Sequence, residues 1–264
     1  MYNFNYHRAK DLADAKEKFD QAEDGLFLAG GMTIIPTLKQ RLANPSDVID
    51  LADLSMTGIS EDGNAIVIGA MTKHAEVAAS DLVTNKIPGL AALADGIGDP
   101  QVRNRGTIGG SIANNDPAAD YPAACLALGA TIVTTGREIA ADDFFKGLFE
   151  TALEEAELIT TVRFPVPKRS NYQKFPNPAS RYAIVGVMAA ETTDGPRVAV
   201  TGAAQGGVFR VAEMEAALAS NWSAASVEGI AVPEDGLNSD IHASAEYRAH
   251  LVTVMAKRAV DAAG

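Results

Sequence analysis

An α+β fold in two units is what the 264-residue chain predicts, on three observations. Short apolar, β-branched runs alternate with segments of helical periodicity. Two connections between them carry paired glycines, Gly30-Gly31 and Gly109-Gly110. A proline cluster, Pro165, Pro167, Pro176 and Pro178, then separates this part from a shorter region that reads as a hairpin followed by helices. The length suits about two domains of ordinary size.

Taken in order, Leu12, Ala15 and Phe19 predict an amphipathic helix over 7–19. Residues 26–29 read as a strand that stops at Gly30-Gly31, and 32–42 as the helix after that turn. Strands are expected at 47–51 and 65–70, and helices near 74–80, 88–94 and 121–128. Further strands are expected at 130–134 and 158–164. Beyond the prolines, 183–190 and 198–203 flank an Asp194-Gly195 turn, the pattern of a β-hairpin with a longer loop. Helices follow at 211–220 and 244–263, the second with Tyr247, Leu251, Met255 and Ala259 four apart.

Composition excludes several classes of function. Asp and Glu number 34 against 22 Lys and Arg, a formal charge of −12, and no basic cluster is present to neutralise phosphates, which argues against nucleic acid. No apolar run reaches the roughly 18 residues of a membrane span, and the opening MYNFNYHRAKD turns polar too early for a signal peptide. A cytoplasmic location is expected. The single cysteine, Cys125, rules out a disulfide framework and any iron–sulfur cluster held by this chain alone, and its apolar surroundings make it a core residue. His7, His74, His242 and His250 are scattered, so no metal site is expected. The Rossmann G-x-G-x-x-G and P-loop patterns are both missing.

The chemistry concentrates in Ala29-Gly30-Gly31-Met32-Thr33 and in Thr107-Ile108-Gly109-Gly110-Ser111, which runs on through 112–117. Paired glycines let successive main-chain N–H groups converge on a phosphate, and Thr33, Thr107 and Ser111 add hydroxyl donors. An acidic chain repels an anion at long range, so such a site depends on short-range donors, with Arg103 or Arg105 as possible help. A lone Gly-Gly pair is simply a turn; two matched ones suggest a clamp on a diphosphate.

These segments, with Tyr6-His7-Arg8, 68–72, 99–121, 157–165, 174–187 and Ala245-Glu246-Tyr247-Arg248, are similar to the FAD-binding medium subunit of molybdenum hydroxylases, the family of aerobic carbon monoxide dehydrogenase and xanthine dehydrogenase. The resemblance implies a vanillyl-alcohol-oxidase (PCMH)-type fold. An FAD-binding domain over 1–167, with subdomains of about 1–57 and 58–167, would precede a C-terminal flavoprotein domain over 168–264. It implies that Ala29 to Thr33 and Thr107 to Ser111 bind the pyrophosphate, and that Asp120 lies at the ribose. Ile159 would meet the adenine, Ile97 and Lys174 would stand beside the flavin ring, and Tyr182 would cover it. Each has a plainer reading as well: Asp120 as N-cap of the helix at Tyr121-Pro122, Ile159 as core strand, Lys174 as a solvated side chain, Tyr182 as boundary packing. Met32-Thr33 departs from the polar residue and serine that many relatives carry, and the glycine segments hold no histidine, which implies noncovalent FAD.

The function so implied is electron transfer. Electrons would arrive from [2Fe-2S] clusters on a small partner subunit, after hydroxylation on a molybdopterin-binding large subunit, and leave to an external acceptor. The expected assembly is a dimer of heterotrimers. The alternative is a self-sufficient flavin reductase or oxidase of the same fold, for which the C-terminal region offers no assignable Ser, Glu and Arg set.

Overall fold

The computed structural model describes residues 1–263; Gly264, the last residue of the expected 168–264 unit, lies outside the described residues. The chain opens with β1 (Asn5–Arg8), α1 (Leu12–Gln21), β2 (Gly25–Leu28), α2 (Ile34–Lys39) and β3 (Asp47–Asp50). The three strands pair in parallel in the order β1-β3-β2, around a core that includes the fully buried Ala15 and Ile49. The helix expected from residue 7 begins only at Leu12, because Asp11 accepts the Asp14 N–H and caps it there. His7 and Arg8 belong to β1, an exposed edge strand without the alternation that marks a half-buried one.

Next come β4 (Ile59–Asp62), β5 (Ala65–Gly69), α3 (His74–Ala78), α4 (Asp81–Lys86), α5 (Pro88–Asp95), α6 (Pro100–Arg103), α7 (Ile108–Asn114), α8 (Tyr121–Leu128), β6 (Thr131–Thr134), β7 (Glu138–Ala140), α9 (Ala141–Phe144), β8 (Phe145–Gly147), β9 (Glu150–Thr151) and β10 (Ile159–Pro165). Strands β4-β5-β10-β6-β7 form an antiparallel sheet in that order, and β8 and β9 a separate hairpin. Ile66, Ile68, Val162 and Phe164 of the sheet pack against Leu90, Leu93, Tyr121 and Cys125 of the helices, all fully buried.

The remainder is β11 (Arg169–Pro176), β12 (Ala183–Thr192), β13 (Gly195–Thr201), β14 (Phe209–Arg210), α10 (Ala212–Ser220), α11 (Ala224–Val227) and α12 (Ala245–Ala262). The antiparallel order is β11-β12-β13-β14. Strand β11 runs through the proline cluster, with Pro176 at its end on the sheet edge, where a missing N–H is tolerated. Strand β12 is buried on both faces: Val185, Val187 and Ala189 join the cluster under α10 and α12, while Met188 and Ala190 join that of α8. This is why 183–190 reads as a continuous apolar run.

Candidate binding cleft

A cleft of about 830 Å³ is lined by the turn after β2, by Gly106, Thr107 and α7, by the loop before β10, and by residues 180–182. That volume is in the range of small-molecule sites. The two glycine segments meet at its wall. A Cβ on Gly30 would lie 2.1 Å from the Arg105 carbonyl oxygen and 2.8 Å from Gly106 Cα, and one on Gly110 would lie 3.5 Å from Ala29 Cβ. At Gly30 only a hydrogen in place of a side chain lets the main chains approach so closely. Gly31 has φ of 77°, a left-handed conformation that glycine adopts without strain.

Around this junction the donors divide into two sets. Among the described residues, the main-chain N–H groups of Gly30, Gly31, Met32, Thr33 and Thr107 donate to no protein acceptor. Those of α7 are already engaged: Ile108 donates to Thr72 O at 3.1 Å, Gly109 to Ala70 O at 2.8 Å and Gly110 to Thr107 Oγ1 at 3.2 Å. The second glycine segment is thus a capped helix, with Thr107 as N-cap, where the sequence suggested a loop. Ile108 is fully buried in the core and does not line the cleft. Gly109 lines it, but a Cβ there would lie 2.6 Å from Ala70 Cβ, so its glycine serves close packing of α7 on the strand end.

Ala29, Gly30, Gly31, Met32, Thr33, Ile97, Thr107, Gly109, Gly110, Ser111, Asp120, Ile159 and Tyr182 all line the cleft. Asp120 stands before α8 yet makes no capping bond. Its buried carboxylate instead accepts a hydrogen bond from the Tyr172 hydroxyl and pairs with Lys174 Nζ at 3.1 Å. Burial pushes the carboxyl up, while Lys174 and Tyr172 pull it down. Lys174 does not itself line the cleft; it also donates to Gly96 O at 2.7 Å and acts on the site through Asp120. Ile159 is buried, Ile97 is half-buried and Tyr182 is about half exposed. Burial, with Asp116 and Asp120 nearby, pushes the Tyr182 hydroxyl up.

Sequence reasoning missed several contributors. Glu157 organises the loop before β10, accepting from Thr134 Oγ1 at 2.6 Å, Arg137 Nη2 at 3.0 Å and the Glu154 N–H at 2.8 Å. The Arg137 bond is the main reason its carboxyl is held at about 2. The wall at 117–119 is fastened from β13, where Thr201 Oγ1 donates to Ala119 O at 2.6 Å and Pro117 O at 3.0 Å, and Gly202 N–H donates to Pro117 O at 2.8 Å. Arg248, buried on α12, donates to Gly202 O at 3.0 Å and so holds that fastener. Apart from the local Glu154–Glu157 bond, none of these pairings has a local sequence signal, because each joins residues far apart in the chain. His74 also lines the cleft as the first residue of α3, the strand-to-helix position its sequence suggested.

The lining is acidic, with Asp116, Asp120, Glu154, Glu155 and Glu157, and among the described lining residues Arg181 is the one Lys or Arg. Arg103 and Arg105 do not line the cleft; Arg103 turns to the carbonyls of Ile97 and Gly98. An anionic ligand would therefore rely on main-chain N–H groups and hydroxyls.

Three kinds of comparison with known proteins agree. A family model described as the FAD binding domain in molybdopterin dehydrogenase matches residues 2–167. The carbon monoxide dehydrogenase medium chain of Afipia carboxidovorans is 36% identical, covering 99% of this chain and 96% of its own length. The nicotine 6-hydroxylase medium subunit of Paenarthrobacter nicotinovorans is 36% identical over 98% of this chain and 96% of its own. Among solved structures, Cu,Mo-CO dehydrogenase superposes with a TM-score of 0.89 at 35% identity, covering 100% of this chain and 98% of that one. Quinoline 2-oxidoreductase from Pseudomonas putida 86 superposes with a TM-score of 0.88 at 27% identity, covering 99% and 96%.

Proposed function

The chain belongs to the family of FAD-binding domains of molybdopterin dehydrogenases, and from that premise we propose that its two apposed glycine segments grip the diphosphate of FAD without a covalent bond. Its fold is the expected α+β, PCMH-type fold, and it is the flavoprotein subunit of a multi-subunit molybdenum oxidoreductase with large and small partner subunits. When bound, FAD supplies the redox chemistry that carries electrons from [2Fe-2S] clusters of a partner to an external acceptor.

The chain's own residues bind and orient. One observation carries the reading: five main-chain N–H groups without protein acceptors, at Gly30 to Thr33 and Thr107, lie on two segments in van der Waals contact at one cleft. Such donors suit a diphosphate, and the −12 charge of the chain leaves no long-range attraction to do their work. In this reading Asp120, fixed by Tyr172 and Lys174, receives ribose hydroxyls, Ile159 meets the adenine, and Ile97 and Tyr182 flank the flavin ring. The same reading takes 1–167 as the FAD-binding domain, with subdomains of about 1–57 and 58–167, and 168–264 as the C-terminal flavoprotein domain. It also takes the assembly as a dimer of heterotrimers in the cytoplasm. Among the described residues, no helix is long and apolar enough to cross a membrane.

The test is competition for the flavin-free complex between FAD and riboflavin, which lacks the diphosphate. FAD should bind at least about a hundredfold more tightly, as charge-assisted hydrogen bonds to the diphosphate together with the ribose and adenine contacts require. Equal affinities would remove the diphosphate from the mechanism.

A further inference from the structure

The proposed grip on the diphosphate leaves one polar side chain of the cleft wall unexplained. His74 is 5% exposed and lines the cleft, and neither ring nitrogen is hydrogen-bonded within the protein among the described residues. Nδ1 is sealed off, whereas Nε2 is not. The Nε2 edge lies against the second glycine segment: a Cβ on Gly106 would come within 2.5 Å of it. The main chain fixes this placement, since the His74 N–H donates to Gly106 O at 3.0 Å. The ring also packs on Tyr121, with centroids 5.4 Å apart.

A buried polar group normally has a partner, because one left unmatched costs about 1–3 kcal/mol. Packing alone would be served equally by phenylalanine, which carries no such cost. The imidazole is neutral, since burial first and Arg103 second push it down to about 4. A neutral ring has one N–H and one lone pair. In either tautomer the sealed Nδ1 has no partner, and an orphaned buried N–H is rarer than a bare lone pair, so the proton is assigned to Nε2, on the side that is not sealed.

Resting on the FAD reading above, we propose that His74 Nε2–H donates a hydrogen bond to an acceptor oxygen of FAD held at the Gly106–Thr107 turn. It adds a neutral donor beside the main-chain donors and brings no positive charge. Both His74 and Gly106 are then constrained together: the glycine makes room for the ring, and the ring presents its donor where the turn holds the ligand.

The experiment compares His74→Phe, which keeps a ring of similar shape, with His74→Gln, which keeps an N–H donor, in the full chain assembled with its partners and stripped of flavin. FAD affinity should fall roughly tenfold in the Phe variant and recover to within about threefold of the parent in the Gln variant. Neither flavin-free variant should melt below the parent, and the Phe variant, freed of the unmatched Nδ1, should melt at or above it. A Phe variant that binds FAD as tightly as the parent overturns the proposal, as does a Gln variant that recovers nothing. Should the Phe variant fold poorly, histidine 15N spectra of the parent protein decide: FAD must shift the Nε2 signal while it retains its proton, and an unmoved Nε2 overturns the assignment. Failure of the parent itself to bind FAD would instead overturn the reading of the cleft, so the two failures are distinct.

Discussion

At Gly30 an added methyl would run into the Arg105 carbonyl, at Gly109 into Ala70, and at Gly110 chiefly into the Thr107 hydroxyl at 2.9 Å. Three glycines of the two segments thus predict two different phenotypes. Gly30→Ala and Gly109→Ala should each destabilise by about 3 kcal/mol or more through overpacking against main chain or strand end, read by urea denaturation. Gly110→Ala gains roughly 0.5–1 kcal/mol of helix propensity against its tight contact, so stability should change little, yet FAD affinity should drop about tenfold because the methyl sits in the cleft lining. A Gly110 variant with unaltered affinity would remove that position from the site. Acid acts at the same scale through groups whose folded pKa lies below the unfolded one, His74 and Glu157 by the most. His74 at about 4 contributes stability that is present above its ordinary 6.5 and lost as pH falls from there towards 4. Glu157 at about 2 contributes stability present above its ordinary 4.5 and lost between there and 2. Unfolding free energy measured against pH should therefore fall first through His74 and then through the carboxylates, and Glu157→Gln should lessen only the second fall, which Asp14, Asp47, Glu191, Glu228 and Asp240 share.

Between elements, the clearest dependence is that of the cleft wall on β13. Thr201→Val keeps the shape of the side chain but leaves the Pro117 and Ala119 carbonyls without its hydroxyl, for a loss of about 1–3 kcal/mol and weaker FAD binding, checked by thermal melts and flavin titration. A valine variant with parent-like flavin affinity would show the wall to hold without that bond. Long periodic or strongly apolar elements were legible in the sequence: β2 with its glycine stop, β5, the β12–β13 hairpin and α12. Strands β1 and β4 were not, because they bury little and show no alternation. Helix α7 was hidden by its own glycines, which signal a turn locally, while the tertiary contact with Ala70 keeps them in a helix. In the same way Gly30 and Gly110 were legible as candidate residues of the cleft, whereas the pairing of Asp120 with Tyr172 and Lys174 rests on β11, which lies among prolines that read as a break.

For the molecule as a whole, charge sets an unusual sign for ligand binding. A chain of net charge −12 repels an anionic cofactor, and salt screens that repulsion over about 10 Å at roughly 0.1 M. FAD affinity should hold or rise as salt goes from about 20 to 200 mM. A site built on clustered lysines and arginines would lose affinity instead, and a tenfold loss in such a titration would contradict the reliance on main-chain donors. The family-model match ends at residue 167, yet the carboxylate at Asp120 and the carbonyls of Pro117 and Ala119 are held by Tyr172, Lys174, Thr201 and Gly202. Anyone transplanting this flavin module into a chimaeric enzyme must therefore move β11 to β13 along with the matched stretch. Excised at its homology border, the graft would arrive with its floor unmoored.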